Sequence, residues 1–155
     1  MAQQGKAGFI ETIARGLCVV DDHLLLCRGR KAGNLYLPGG HIEFGEKAAT
    51  ALSRELMEEA GLRVRVGRFI GCVEHVFRQQ GVRHAEINLI FSMCATRLTP
   101  RRPPPCREDW IAFEWLPLRN LSSSRLQPAV LRRCLPEWLV GKGPGFASTR
   151  AGWQA

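Results

Sequence analysis

The chain lacks any apolar run long enough to cross a bilayer. Stretches such as Leu24–Leu25–Leu26–Cys27 fall far short of the roughly 20 residues that a spanning helix needs. It does not open on a charged stretch followed by an apolar core and a small-residue cleavage site, so export is not expected. The cytoplasm is the expected compartment, with no membrane partner. Paired cysteines are missing as well. Cys18, Cys27, Cys72, Cys94, Cys106 and Cys134 are spaced widely and irregularly, with no C-x-x-C among them. Structural zinc sites draw ligands from close pairs, because two neighbouring thiolates supply half a tetrahedron. Several of these cysteines sit in apolar segments, where a free thiol behaves as a small hydrophobe, so buried reduced thiols are expected. Internal repeats are also absent.

What remains is ordinary globular material. With 155 residues, 45% hydrophobic and 23% charged, the chain reads as one soluble domain with one well-buried core. Its formal charge of +8 and pI near 9.8 attract polyanions: nucleic acid, anionic membrane or small phosphorylated molecules. Charge alone does not choose among them.

Residues 1–8 are polar and glycine-containing and read as a frayed start. The run from Phe9 to Val20 is β-rich, Asp21–Asp22 makes a turn, and His23–Cys27 reads as the second strand of a hairpin. A basic loop, Arg28–Asn34, leads to a short strand at Leu35–Leu37, stopped by Pro38–Gly39–Gly40. Helical character runs from Glu46 to a glycine stop at Gly61. Leu62–Phe77 and Arg83–Thr96 read as antiparallel strands around Gln79–Gln80–Gly81, and Trp110–Leu116 as a further strand. The prolines of Thr99–Cys106 make a stiff loop, since each removes a ladder donor. A last helix is expected over Pro128–Val140 and a flexible tail over Gly141–Ala155. This order describes an α/β fold, a mixed sheet between helices.

The chemistry concentrates in Gly40 to Leu62, GHIEFGEKAATALSRELMEEAGL. At about 100° per residue, Ala48, Ala49, Leu52, Leu56 and Ala60 form an apolar helix face. Glu55, Glu58 and Glu59 stand at i, i+3 and i+4, within an arc that overlaps the edge of that face; Glu59 falls between the directions of Ala48 and Leu52. Clustered carboxylates against apolar packing repel each other and lose hydration. A divalent cation removes both costs, and magnesium favours hard oxygen ligands. The alternative is a solvated acidic face. The Gly39–Gly40 turn lets backbone approach an ion or a phosphate.

These residues resemble the Nudix box, G-x5-E-x7-R-E-U-x-E-E-x-G-U with U apolar. Gly40, Glu46, Arg54, Glu55, Leu56, Glu58, Glu59, Gly61 and Leu62 all fall at its spacings. The resemblance implies the Nudix α/β/α sandwich over about residues 9–140. It also implies hydrolysis of nucleoside diphosphates linked to another moiety, with Mg2+ or Mn2+. The glutamates matching Glu55, Glu58 and Glu59 would ligate the metal, joined by a carbonyl at Gly40 or Gly39. Arg54 and Glu46 would hold the glutamates in place; an ideal wheel does not turn Arg54 to that side, so its role rests on the resemblance. The implied chemistry is charge neutralisation of a pyrophosphate and in-line attack of activated water on phosphorus, without a covalent enzyme intermediate.

Outside the box, Glu108 and Asp109 stand where the family often places another acidic group, and Glu86 resembles a glutamate of some bacterial members. Each reads equally as a surface charge. His75 and His84, in or beside strands, read as structural histidines, with a catalytic role as the alternative. Trp110, Phe113 and Trp115 are candidates for base stacking or for core. Arg97, Arg101, Arg102 and Arg107 are candidates for a polyphosphate or an RNA 5′ end, or for a solvated loop. A small nucleotide is the expected partner: ADP-ribose-like, dinucleoside polyphosphate or triphosphate. RNA is not favoured, because 155 residues leave little surface beyond the domain. A homodimer is compatible with the resemblance. The rival reading is a non-catalytic Nudix-fold module that binds a nucleotide or RNA.

Overall fold

A computed structural model describes residues 9–150. The expected frayed start and the last residues of the expected tail lie outside the described residues. Among the described residues nine strands and two α-helices follow one another: β1 (Ile10–Leu17), β2 (Val19–Val20), β3 (His23–Gly29), β4 (Leu35–Tyr36), β5 (Gly39–His41), α1 (Ala48–Ala60), β6 (Arg65–Gln79), β7 (Val82–Cys94), β8 (Ile111–Pro117), α2 (Leu131–Leu139) and β9 (Gly145–Ser148). A single 3-10 turn, Leu118–Asn120, follows β8.

The strands form two sheets. One is mixed, in the order β5-β1-β7-β6-β9, with β1 parallel to β7 and β9 parallel to β6. The other is antiparallel: β3 pairs with β2 and β4, and with β8. The β-rich run from Phe9 is therefore not one arm of a hairpin. It breaks at Cys18, so that β1 enters the mixed sheet and only Val19–Val20 folds back on His23–Leu24.

Side-chain alternation on β3 explains how the layers stack. Leu24 and Leu26 join a cluster with Leu17, Leu37, Ile90, Leu126, Leu135 and Trp138, where α2 packs. Leu25 and Cys27 join the cluster with Ala51, Leu52, Leu56, Met93 and Phe113, where α1 packs. All four are fully buried, as an unbroken apolar strand requires when both of its faces are covered. Burying a leucine of this kind stabilises by about 2 kcal/mol.

The β6–β7 turn places Gln80 at φ 50° and Gly81 at φ 78° between the paired Gln79 and Val82. Two positive φ values in a two-residue loop match the twist of the flanking strands. α1 ends as expected: Gly61 lies at φ 64°, its N–H bonded to the Met57 carbonyl and that of Leu62 to Leu56. α1 begins at Ala48, two residues later than expected, because Glu46 remains in the preceding turn and its carboxylate accepts from the Glu43 N–H at 3.2 Å. α2 also starts later, at Leu131, after a turn in which the Leu131 N–H bonds to the Pro128 carbonyl.

The expectation of a flexible segment from Gly141 needs correction. Gly145–Ser148 is a strand, registered from Gly71↔Gly145 to Glu74↔Ser148 along the outer edge of β6. Thr149 extends it, donating its N–H to the Glu74 carbonyl and accepting on its hydroxyl from the Val76 N–H.

Candidate active site

Strand β5 brings the two halves of the box together. Gly39 has φ 131°, and a Cβ there would run into the Ala14 carbonyl of β1. At Gly40 a Cβ would fall on the Glu55 carboxylate. Bare backbone is required at both positions, one to seat the strand and the other to admit the first turns of α1. The result is a cleft of about 620 Å³ whose lining includes Gly39, Gly40, Glu55 and Glu59.

Glu59 is 6% exposed and belongs to the buried face of α1 with Ala51, Leu52, Leu56 and Ala60. The wheel placed it there. Ala49, expected on the same face, is exposed instead, and Ala51 takes its place. Among the described residues Glu59 Oε2 is sealed from solvent and has no hydrogen-bond partner. Burial pushes its carboxyl up to about 7, helped by Glu55, Glu108 and Glu58 and opposed by Arg15.

The other glutamates are neutralised from within. Arg54 donates from Nε and Nη2 to both oxygens of Glu46 (3.0 and 3.1 Å), and from Nη1 to Glu55 (3.0 Å) and Glu58 (3.2 Å). Its remaining Nη2 bond goes to the His41 carbonyl at 3.0 Å. The hydrogen bonds from Arg54 hold Glu46 below the usual carboxylate range. A wheel places Cα atoms, and the long guanidinium arm crosses the arc that the wheel assigned to the glutamates alone. The crowding inferred from three like charges is thus relieved for two of them. It persists at Glu59. Glu58 stands at the solvent edge, its side chain 55% exposed.

Arg15 and Asn88 escaped the sequence reading, although an arginine between Ala14 and Gly16 in an apolar strand was a usable signal. Arg15 Nε donates to Asn88 Oδ1 at 3.1 Å, and Nη1 donates to the Leu37 and Gly39 carbonyls, each at 3.2 Å. Its guanidinium lies over the Tyr36 ring, 5.5 Å from the centroid. Asn88, 3% exposed, passes the chain on to Glu86 at 3.1 Å. Glu86, like Arg15, lines the cleft.

The remaining candidates separate clearly. Phe113 is core, and Trp115 donates its indole N–H to the Arg102 carbonyl at 3.1 Å. Trp110 lines the cleft and is 57% exposed. Arg107 caps α1, with its backbone N–H on the Glu59 carbonyl (2.7 Å) and Nη1 on that of Met57 (3.2 Å). His75 faces the cleft with its ring nitrogen 3.1 Å from the Thr149 hydroxyl, and burial lowers its imidazole below the usual range. Asp109 is exposed, while Glu108 receives the Trp110 indole N–H at 3.2 Å.

Among the described residues no three carboxylate, imidazole or thiolate groups converge as a ready-made metal cage. Three carboxylates line the cleft, Glu55, Glu59 and Glu86, and the first two stand beside bare backbone, with one orphaned oxygen on Glu59. That donor set fits magnesium, which usually takes one or two carboxylates and completes its shell with waters and substrate phosphates.

Comparison with known proteins identifies the family and the fold. The profile of the NUDIX domain matches residues 11–138, and the chain belongs to the NUDIX family. A MutT-like protein of Streptomyces ambofaciens is 38% identical over 58 residues, a stretch covering 37% of this chain and 38% of that protein. Many solved structures share the fold, two of which serve as examples. The MutT protein from Methanosarcina mazei Go1 superposes with a TM-score of 0.67 at 18% identity, over 89% of this chain and 99% of that one. An ADP-ribose pyrophosphatase from Streptococcus suis gives 0.57 at 16% identity, over 89% and 98%.

Proposed function

We propose that this chain hydrolyses a pyrophosphate bond in a nucleoside diphosphate linked to another group, using Mg2+ or Mn2+. Glu59 carries the reading: a buried carboxylate with an orphaned oxygen, on the wall of a cleft it shares with Glu55 and Gly40. Left empty, such a position is costly; with a hard cation it becomes a ligand.

A divalent ion held there would supply charge neutralisation at the pyrophosphate and a more acidic water. The chain supplies the rest. Glu55 and Glu59 offer their oxygens, with main-chain carbonyls of Gly39 or Gly40 beside them and Glu58 at the solvent edge. Arg54 fixes Glu55, and Glu46 fixes Arg54 by a two-pronged bond, so both act as positioning residues. No side chain is required to form a covalent bond to the substrate.

The test is a hydrolysis panel of ADP-ribose, dinucleoside polyphosphates, nucleoside triphosphates and 5′-triphosphorylated RNA, with Mg2+ or Mn2+. Release of phosphate or mononucleotide that ceases on chelation is expected, with solvent 18O appearing in one phosphate product. Tight nucleotide or RNA binding with no turnover on any member would move the protein to the non-catalytic class. The Streptococcus suis neighbour, described as an ADP-ribose pyrophosphatase, makes ADP-ribose a sensible first substrate.

A further inference from the structure

α1 does not secure its own last turn. The final four carbonyls of a helix find no partner inside it, and here that turn carries Glu58 and Glu59. Gly61 serves one of them, giving its N–H to the Met57 carbonyl at 2.9 Å. Arg107 comes in from the proline loop and adds two more bonds. Its backbone N–H donates to the Glu59 carbonyl at 2.7 Å, and its Nη1 to the Met57 carbonyl at 3.2 Å. A guanidinium at this end of a helix is also favoured by the helix dipole.

The arginine is itself held from both sides. Pro103, Pro104 and Pro105 restrict the backbone that leads into it, and Pro104 is buried. Cys106 packs against the apolar cluster of α1, and its Sγ donates to the Glu108 carbonyl at 3.4 Å. On the helix side, a Cβ at Gly61 would fall on the Arg107 guanidinium. Gly61 therefore does two things. Its φ of 64° closes the helix, and its bare α-carbon seats the guanidinium.

We propose that Arg107 is a positioning residue, which clamps the turn bearing Glu58 and Glu59 and sets the pose in which Glu59 meets a divalent ion. The inference rests on the metal-dependent reading above and adds to it a residue from outside the acidic helix and its glycine turn. Glu59 is the last residue but one of α1, and helix ends fray, so loosening that turn moves its carboxylate. Groups that orient a metal ligand without touching the ion change its affinity by about ten- to a hundredfold when removed.

The test uses the full chain and begins without metal. In Arg107→Ala the amide protons of Gly61 and Leu62, both bonded into the last turn, should exchange severalfold faster. Mn2+ is then titrated by electron paramagnetic resonance, and Arg107→Ala should bind it about tenfold more weakly. On a substrate from the hydrolysis panel, kcat should fall with KM held within about a factor of two. Gly61→Asn keeps the left-handed cap, which asparagine tolerates, but fills the seat; it should weaken Mn2+ to the same degree. The double variant should be no worse than either single one. Ala49→Gly, an exposed change near the other end of α1, should lower the melting temperature and leave Mn2+ affinity intact. An equal loss of Mn2+ affinity in Ala49→Gly overturns the clamp, as do additive losses in the double variant. Failure of the unaltered chain to bind Mn2+ removes the metal-dependent reading and the role of Arg107 with it. Normal Mn2+ binding with unchanged exchange in Arg107→Ala removes the clamp alone.

Discussion

Among the described residues nothing hydrogen-bonds the inner oxygen of Glu59, and only the field of Arg15 offsets its burial. With a folded pKa of about 7 against an ordinary 4.5, it keeps its proton through a pH range in which the unfolded chain has released one. Linkage then requires the metal-free protein to lose stability as pH rises from about 4.5 to 7, by an amount on the order of 3 kcal/mol, and to level off above. Urea titrations across that window should show the decline. Glu59→Gln should flatten it, and Mg2+ should restore stability at neutral pH. A flat curve for the unaltered, metal-free chain would contradict the assignment. The same Glu59→Gln change should cost turnover a factor of about a thousand or more while the fold survives, since it removes a ligand charge and leaves shape intact. The glutamates were legible in the sequence because helix spacing is local. Arg54's reach across them was not, and neither was the Arg15–Asn88–Glu86 chain, whose members stand 73 positions apart at its first link.

Strand β5 shows how two adjacent glycines can fail in different ways. Gly39→Ala meets both an unfavourable φ and the Ala14 carbonyl, so it should destabilise by about 2 kcal/mol or more, readable in the urea midpoint. At Gly40→Ala the nearest obstacle is the Glu55 carboxylate, a side-chain end and not backbone. That side chain can swing aside, so the variant should melt within a few degrees of the parent yet lose most of its hydrolysis. Equal stability losses in the two would show that their surroundings are not as distinct as described. The double glycine was visible as a turn, but which partner each glycine faces depends on β1 and α1, and no local pattern carries that. The break at Cys18 was hidden for a similar reason. Phe9 to Val20 is β-rich on both sides of Cys18, and the competing demands of two sheets decide where the strand is divided.

Over the whole molecule, the order of strands and helices sufficed for the α/β sandwich. β9 was lost because Gly141, Lys142, Gly143, Pro144 and Gly145 read as a loop, while its pairing lies some 70 residues upstream in β6. Its presence covers an edge that would otherwise display unpaired backbone groups. A chain ending at Lys142 should therefore melt several degrees lower and scatter light on warming, as exposed β6 edges associate. A truncated chain as stable and monodisperse as the full one would show that β9 is dispensable.

β3 acts as a party wall. Leu24 and Leu26 furnish one room and Leu25 and Cys27 the next, so neither side can be emptied without disturbing the other. Amide protons from Leu24 to Cys27 should be among the slowest in the molecule to exchange, and those of Leu52 and Leu135, on opposite helices, should open together with them. Evolution faces the same coupling: reshaping the scaffold behind α2 is felt, through four consecutive residues, at the helix that bears the acidic groups.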